Sequence, residues 1–432
     1  MRRAAVLLVL LVLLATGCAT RPALRGDLHA LLSRYESYGF SGTVLVAKDG
    51  RVVLHEGYGL ADRERGIPNG RETLYEVASL NKTFTAAAIL QLEARGLLDT
   101  SDPLSRHLGA FPPAKAAATI HHLATHTAGL VPDGADLGAG ADREDFLEHV
   151  KRVPPESAPG ERYRYTNAGY SVLAAIIERL SGMPYEAYLR EHLVKPAGLR
   201  DIYFRGHPTP RPMALGYEGT PPKVIVPPPL RWGVHGAGGM ITTVGQLYRW
   251  HLALQADPVM RKMFEDRPEE EGYAWHVDRD ADGRRRIHKG GGMPQYASQI
   301  VHYPDQRLVI LWASNNLQQR WRQALNRGIA AVAFGTEAVM PPPRMTGVDP
   351  GALAGSYVAA SGKRLQLARI GDYLHALENE LGVPSGMPFF AIGERELAGF
   401  DPTRLTLTRM TFDGEQVKVS LPDGEVVAQK TR

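Results

Sequence analysis

Ser79 and Lys82 are the first residues in this chain whose types and spacing could do chemistry. A serine hydroxyl is a poor nucleophile until a nearby base takes its proton. A lysine three residues on shares a helix face with it. In a dry setting such a lysine loses affinity for its proton and can take part in proton transfer. A helix N-terminus also favours negative charge developing close by. Alone, S-x-x-K is equally the pattern of a capping serine followed by a solvent-facing lysine. The next stretch weighs against that reading. Residues 86–92 are apolar nearly all round, which marks a buried helix, and a lysine inside it needs a reason.

The elements around this pair follow from periodicity. Asp27 can cap a helix carrying Leu28, Leu31, Leu32 and Tyr35, with Gly39 at its end. Residues 43–47 and 51–54 flank Lys48-Asp49-Gly50, a hairpin signal. The first of these strands is a continuous apolar run, so its sheet is expected to be covered on both faces. Gly96 supplies a left-handed stop for the Ser79 helix. From about 100 to 240, helical stretches alternate with Pro/Gly-rich loops. Residues 163–170 precede an amphipathic helix with Leu173, Ile176, Ile177 and Leu180. A strand at 287–292, a crossover and a hairpin over 296–313 precede a last helix with Trp321, Leu325 and Ile329. Pro341-Pro342-Pro343 reads as a linker. Beyond it, short strands and the turns Asp413-Gly414 and Asp423-Gly424 predict a small antiparallel barrel or sandwich.

At 432 residues the chain exceeds one typical core. No block of lysine and arginine suggests nucleic acid. Arg284-Arg285-Arg286 reads as a solvated strand end. His121, His122 and His126 lack metal-ligand spacing and a nearby carboxylate, so they read as packing and hydrogen-bonding residues. Residues 278–283 begin like a calcium loop, but Lys289 stands at the twelfth position, where a glutamate is required. No metal or cofactor is expected. Residues 1–18 join a basic start, an apolar run too short to span a bilayer, and Cys18, the only cysteine. This resembles a bacterial lipoprotein signal, with Ala15 where leucine is usual. Cleavage would leave Cys18 lipidated, and Ala19 leans towards the outer membrane. The alternative is an ordinary secretory signal cut near Ala19. Either leader takes Arg2 and Arg3 with it and lowers the formal charge from +4 to +2.

Ser79-x-x-Lys82, Tyr165-x-Asn167 and His288-x-Gly290 occur in that order. Together they resemble the serine β-lactamase and penicillin-binding protein superfamily, in the branch of class C β-lactamases, D,D-peptidases and related esterases. The segments Leu123-x-x-His126-Thr127-x-Gly129-Leu130 and Ala237-Gly238-Gly239-Met240 are also typical of it. The resemblance covers about 25–335. It implies that Ser79 is acylated. Tyr165, as phenolate or in a proton network with Lys82, serves as general base and then protonates the leaving group. Asn167 orients Lys82 and binds a substrate amide. His288 shares the proton network or holds a substrate carboxylate. The oxyanion lies between the N–H groups of Ser79 and Gly291, and Gly290 permits close backbone approach. One departure bears on substrate. His288 replaces the lysine that begins K-T-G in β-lactamases and many D,D-peptidases. Lys289 points to the opposite strand face and is a poor substitute. This shifts weight from β-lactamase to esterase or peptidase.

The expectation is an α+β fold with an antiparallel sheet flanked by helices and an inserted, mostly helical lobe, plus the small C-terminal β-unit. Its parts are a signal at 1–18, a hydrolase region at 25–335 with the lobe at about 100–240, and a β-domain at 345–432. The expected function is an envelope serine hydrolase of D,D-peptidase, carboxypeptidase or esterase type, periplasmic and lipid-anchored to the outer membrane. Its substrates would be small molecules or peptides, from peptidoglycan or of β-lactam type, and nucleic acid is not a partner. The alternatives are a class C-like β-lactamase and, in another class, a catalytically silent penicillin- or peptidoglycan-binding module.

Overall fold

The computed structural model describes residues 22–131, 142–219, 222–267, 271–316, 320–384 and 387–431. Cys18 and the leader lie outside the described residues. A six-stranded antiparallel sheet runs in the order His276–Arg279, Arg285–Gly292, Ala297–Tyr303, Leu308–Ser314, Gly42–Lys48, Arg51–Tyr58. The apolar run over 43–47 now has its explanation. Leu45 and Ala47 enter one core, while Val44 and Val46 enter the other. Successive strand side chains point to opposite faces, so a strand between two cores must be apolar throughout.

Helices cover each face. The first core holds Phe84 and Ile89 from helix Asn81–Ala94, and Leu247 and Leu254 from helix Val244–Ala256. Trp250 stacks on Phe84 at 4.0 Å and donates its indole N–H to Thr83 Oγ1 at 2.9 Å. The second core packs Leu28, Leu31, Leu32 and Tyr35 of a helix over 22–37 against Leu325 and Ile329 of helix Arg322–Phe334. Each such side chain contributes about 1.5–3 kcal/mol by leaving water. The first helix starts at 22, ahead of the Asp27 cap that the sequence suggests. The expected crossover is absent: strands Arg285–Gly292 and Ala297–Tyr303 pair directly, with Gly292 opposite Ala297. Antiparallel neighbours need only a short turn.

The helical lobe includes helices Ile120–Ala124, Arg143–Arg152 and Asn167–Ser181. A small sheet of Tyr75–Glu76, Met240–Thr242 and Ile202–Phe204 stitches it to the Ser79 segment. The C-terminal unit is a closed eight-stranded barrel, from Gly355–Ala359 to Gly424–Lys430, not a sandwich. Leu365, Phe389, Leu397, Met410 and Val419 fill its core. Phe390, Ala398 and Phe400 instead join the second core of the sheet. Phe400 stacks on Tyr35 at 5.6 Å and lies 5.9 Å from Trp321.

One buried pair makes this fold acid-sensitive. His251 is fully buried and stands edge-on to His302 at 4.9 Å, and neither nitrogen of His251 has a hydrogen-bond partner among the described residues. Burial, helped by His302, pushes its pKa down to about 3, and burial with nearby Arg285 holds His302 at about 4. A folded pKa below the unfolded value of about 6.5 means that the unfolded chain binds more protons in between. Stability contributed by the neutral rings is therefore complete above pH 6.5 and is lost as pH falls towards 3–4. His251→Leu is expected to narrow the difference in melting temperature between pH 7.5 and pH 5. Thermal melts of both proteins at the two pH values check this.

Candidate active site

Ser79 sits in a tight turn, Ala78–Leu80, directly before helix Asn81–Ala94. The preceding Ala78 has φ +48, a left-handed conformation that costs a non-glycine residue about 1 kcal/mol or more. The turn is held from outside. Val77 N–H donates to Met240 O at 2.9 Å, and Val77 O accepts from Leu80 N–H at 3.2 Å and from Ser298 Oγ at 2.8 Å. A Cβ on Gly291 would fall 2.1 Å from Val77 O and 3.1 Å from Ser79 N. Glycine is thus required where the strand meets the turn.

Lys82 is fully buried, and its ammonium donates to Ser79 Oγ at 3.2 Å, Asn167 Oδ1 at 2.5 Å and Ala237 O at 3.1 Å. Tyr165 donates its hydroxyl to Ser79 Oγ at 2.8 Å. Four residues from the sequence motifs therefore meet at one point. Thr166 makes this possible by capping helix Asn167–Ser181, which leaves Tyr165 just outside the helix and Asn167 at its first position. Asn81 Nδ2 donates to Gly238 O at 2.8 Å, and Thr85 Oγ1 to Gly236 O at 2.6 Å, so the glycine-rich segment is tied to the Ser79 helix on either side of Ala237.

The third motif is displaced by one residue. Lys289, not His288, faces this point. Lys289 is buried, pairs with Glu271 and lies 5.4 Å over the Tyr165 ring. His288 and Gly290 belong to the other strand face. His288 pairs with Asp278 at 3.1 Å and stacks on His276. A Cβ on Gly290 would fall 2.6 Å from Arg322 Nη1. The site-facing motif is therefore Lys289-Gly290-Gly291, which restores a lysine where K-T-G has one and leaves out the middle hydroxyl. A shift of one residue exchanges the faces of a strand.

The second oxyanion donor moves with it. Met293 N–H donates to Tyr296 O at 3.0 Å. Hydrogen-bonded pairs alternate along an antiparallel ladder, so Gly291 N–H belongs to its partner Ser298. The Gly292 N–H points away from that strand and is the better donor beside Ser79 N–H.

No local pattern marks Glu271 or Arg322, and His126 is expected only as a packing and hydrogen-bonding residue. His126 has φ +60, accepts Thr166 N–H on Nδ1 at 3.3 Å, and lies 4.4 Å from the Tyr165 ring. Burial, opposed by the charge of Glu271, pushes its pKa down to about 3, so it acts as a neutral acceptor. Its place in the Leu123–Leu130 segment was the available signal. Arg322 opens a helix, and its guanidinium has no acidic partner among the described residues. Burial lowers its pKa, while the nearby Tyr165 opposes that shift.

A serine hydroxyl within hydrogen-bond distance of a tyrosine and a buried lysine suits proton transfer and acyl transfer. The comparisons agree. Residues 29–334 match the beta-lactamase family. The chain belongs to that family. A penicillin-binding protein of Bacillus subtilis is 28% identical over 341 residues, 71% of this chain and 75% of its own length. Esterase EstB of Burkholderia gladioli is 35% identical over 201 residues, 42% of this chain, and the match spans about half of the esterase, 51%. The solved octameric penicillin-binding protein homologue of Pyrococcus abyssi superposes with a TM-score of 0.66 at 20% identity, over 93% of this chain and 99% of that one. That likeness shows the fold, barrel included. The family is one of serine hydrolases, with penicillin-binding and esterase relatives.

Gly291→Ala is expected to lower acylation of Ser79 about 100-fold or more with the fold intact, because the methyl group displaces Val77 O and with it the Ser79 turn. Stopped acylation by an active-site phosphonate, read by intact mass, checks this beside a thermal melt.

Proposed function

We propose that this chain is an envelope serine hydrolase that works through a Ser79 acyl-enzyme on amide or ester substrates, as a D,D-peptidase, carboxypeptidase or esterase. The observation that carries the reading is Ser79 Oγ within hydrogen-bond distance of both Tyr165 and Lys82. The ammonium groups of Lys82 and Lys289 over the Tyr165 ring favour its phenolate. The phenolate takes the Ser79 proton as Oγ attacks the substrate carbonyl. The oxyanion is received by Ser79 N–H and Gly292 N–H. Tyr165 then protonates the departing amine or alcohol, and water repeats the sequence in reverse to free the acid. Asn167 fixes Lys82 throughout.

Lys289 on the site face favours a second reading, a class C-like β-lactamase, since the apparent loss of the motif lysine was the argument against it. Residues 1–18 support export and a lipid anchor on Cys18 at the outer membrane.

Incubation of residues 22–432 with benzylpenicillin, a D-alanyl-D-alanine peptide and a p-nitrophenyl ester separates these readings. A lasting penicillin adduct, absent from Ser79→Ala, together with peptide cleavage is the expected result. Rapid penicillin turnover would select the β-lactamase. Ester cleavage alone would select the esterase, and no adduct or turnover with any of the three would sink the acyl-enzyme. Cys18→Ser in the full chain is expected to release the protein from the membrane fraction and abolish incorporation of labelled palmitate. Unchanged fractionation would reject the anchor.

A further inference from the structure

Glu271 belongs to none of the three motifs, yet its carboxylate is fully buried beside them. It pairs with Lys289, approaches His276 Nε2 at 3.2 Å, accepts the Tyr163 hydroxyl at 3.3 Å and lies 3.8 Å from His126 Nε2. Burial alone would raise its pKa. The Lys289 charge and the His276 hydrogen bond outweigh that and hold it well below the usual carboxylate range. A buried carboxylate with four polar neighbours, of which Lys289 and His126 lie 5.4 and 4.4 Å from the Tyr165 ring, is placed at some cost in desolvation. The segment leading into strand His276–Arg279 is bent to deliver it, with Ala274 at φ +65.

We infer that Glu271 is a positioning residue for acyl transfer. It clamps Lys289 over the Tyr165 ring and balances one of the two lysine charges that face that ring. Without it, Lys82 and Lys289 stand as two cations around one phenol. Lys289 is then free to swing towards Ser79 or away from the ring. The clamp therefore governs two quantities, the placement of Lys289 and the pH at which Tyr165 ionises. The groups that face this unit are Lys82 from the Ser79 helix, Lys289 from the glycine strand, His276 from the edge strand, His126 from the turn after Ala124, and Tyr163 and Tyr170 against His126. The Arg322 charge also acts on Tyr165. His126 stays neutral and cannot replace the lost anion.

The inference rests on the acyl-transfer reading, so its test includes a measurement independent of catalysis. Glu271→Gln keeps the size of the side chain and one acceptor oxygen, and removes its charge. Tyrosinate absorbance is followed against pH in the wild type and in Glu271→Gln, each with a Tyr165→Phe partner to isolate the Tyr165 signal. Tyr165 is expected to ionise about one pH unit lower in Glu271→Gln, and about as much higher in Lys289→Met. The acidic limb of kcat/KM should move with it, and kcat should fall about tenfold or more with a smaller change in KM. A purely structural carboxylate would lower the melting temperature and leave the Tyr165 titration and the pH limb in place, and that result overturns the inference. A shifted titration in a wild type that forms no acyl adduct would keep the clamp and refute the acyl-enzyme instead.

Discussion

A buried ammonium organises this molecule. Lys82 has no exposed surface, and a lone cation in such a place is costly unless each of its protons finds an acceptor. Its three acceptors come from three distant parts of the chain: Ser79 from its own turn, Asn167 from the helical lobe, and the Ala237 carbonyl from the glycine-rich segment. The sheet and the lobe can satisfy Lys82 only when they are packed together in one relative position. The requirement that stabilises the lysine therefore also sets the distance between Ser79 and Tyr165. Strain is tolerated where this position is fixed, at Ala78 beside Ser79 and at His126 beside Tyr165.

Electrostatics then divides the site into two layers. The inner layer holds Ser79, Tyr165 and Lys82. The outer layer holds Lys289, Glu271, His276 and His126; the first two and His126 are buried, while the His276 side chain is 40% exposed. An ion pair in the outer layer is felt strongly at Tyr165, because little solvent lies between to screen it. The backbone N–H groups of Ser79 and Gly292, proposed as the oxyanion donors, lie one on each side of the close contact between Gly291 and Val77.

Much of this was legible in the sequence, for local reasons. The serine–lysine spacing, the apolar helix behind it and the Tyr165-x-Asn167 pair each depend on a few consecutive residues. The two-faced sheet showed in the unbroken apolar run over 43–47. Which face of strand Arg285–Gly292 looks at Ser79 did not show. Three successive glycines carry no side-chain alternation, and His288 and Lys289 both suit a buried polar position, so the pattern could be set one residue off. Only the packing of Gly291 against Val77 fixes the register. Glu271 lay in an acidic run that looks like a solvated surface, and its burial depends on partners from four other segments. The barrel was legible as short strands and turns, but closure depends on the pairing of its first strand with its last, which no local signal encodes.

The central sheet also dictates an order of events in the chain's own making. Gly42 pairs with Ser314 and Lys48 with Leu308. This interior strand is thus made before the helical lobe, and its inner neighbour only after it. Closing so long a loop is entropically unfavourable and slow, and pairing of high sequence separation lowers folding rates. During that interval the hairpin over 42–58 has an open apolar edge, with Val44, Leu45 and Val46 uncovered. In a chain built this way, sheet closure competes with self-association at that open edge.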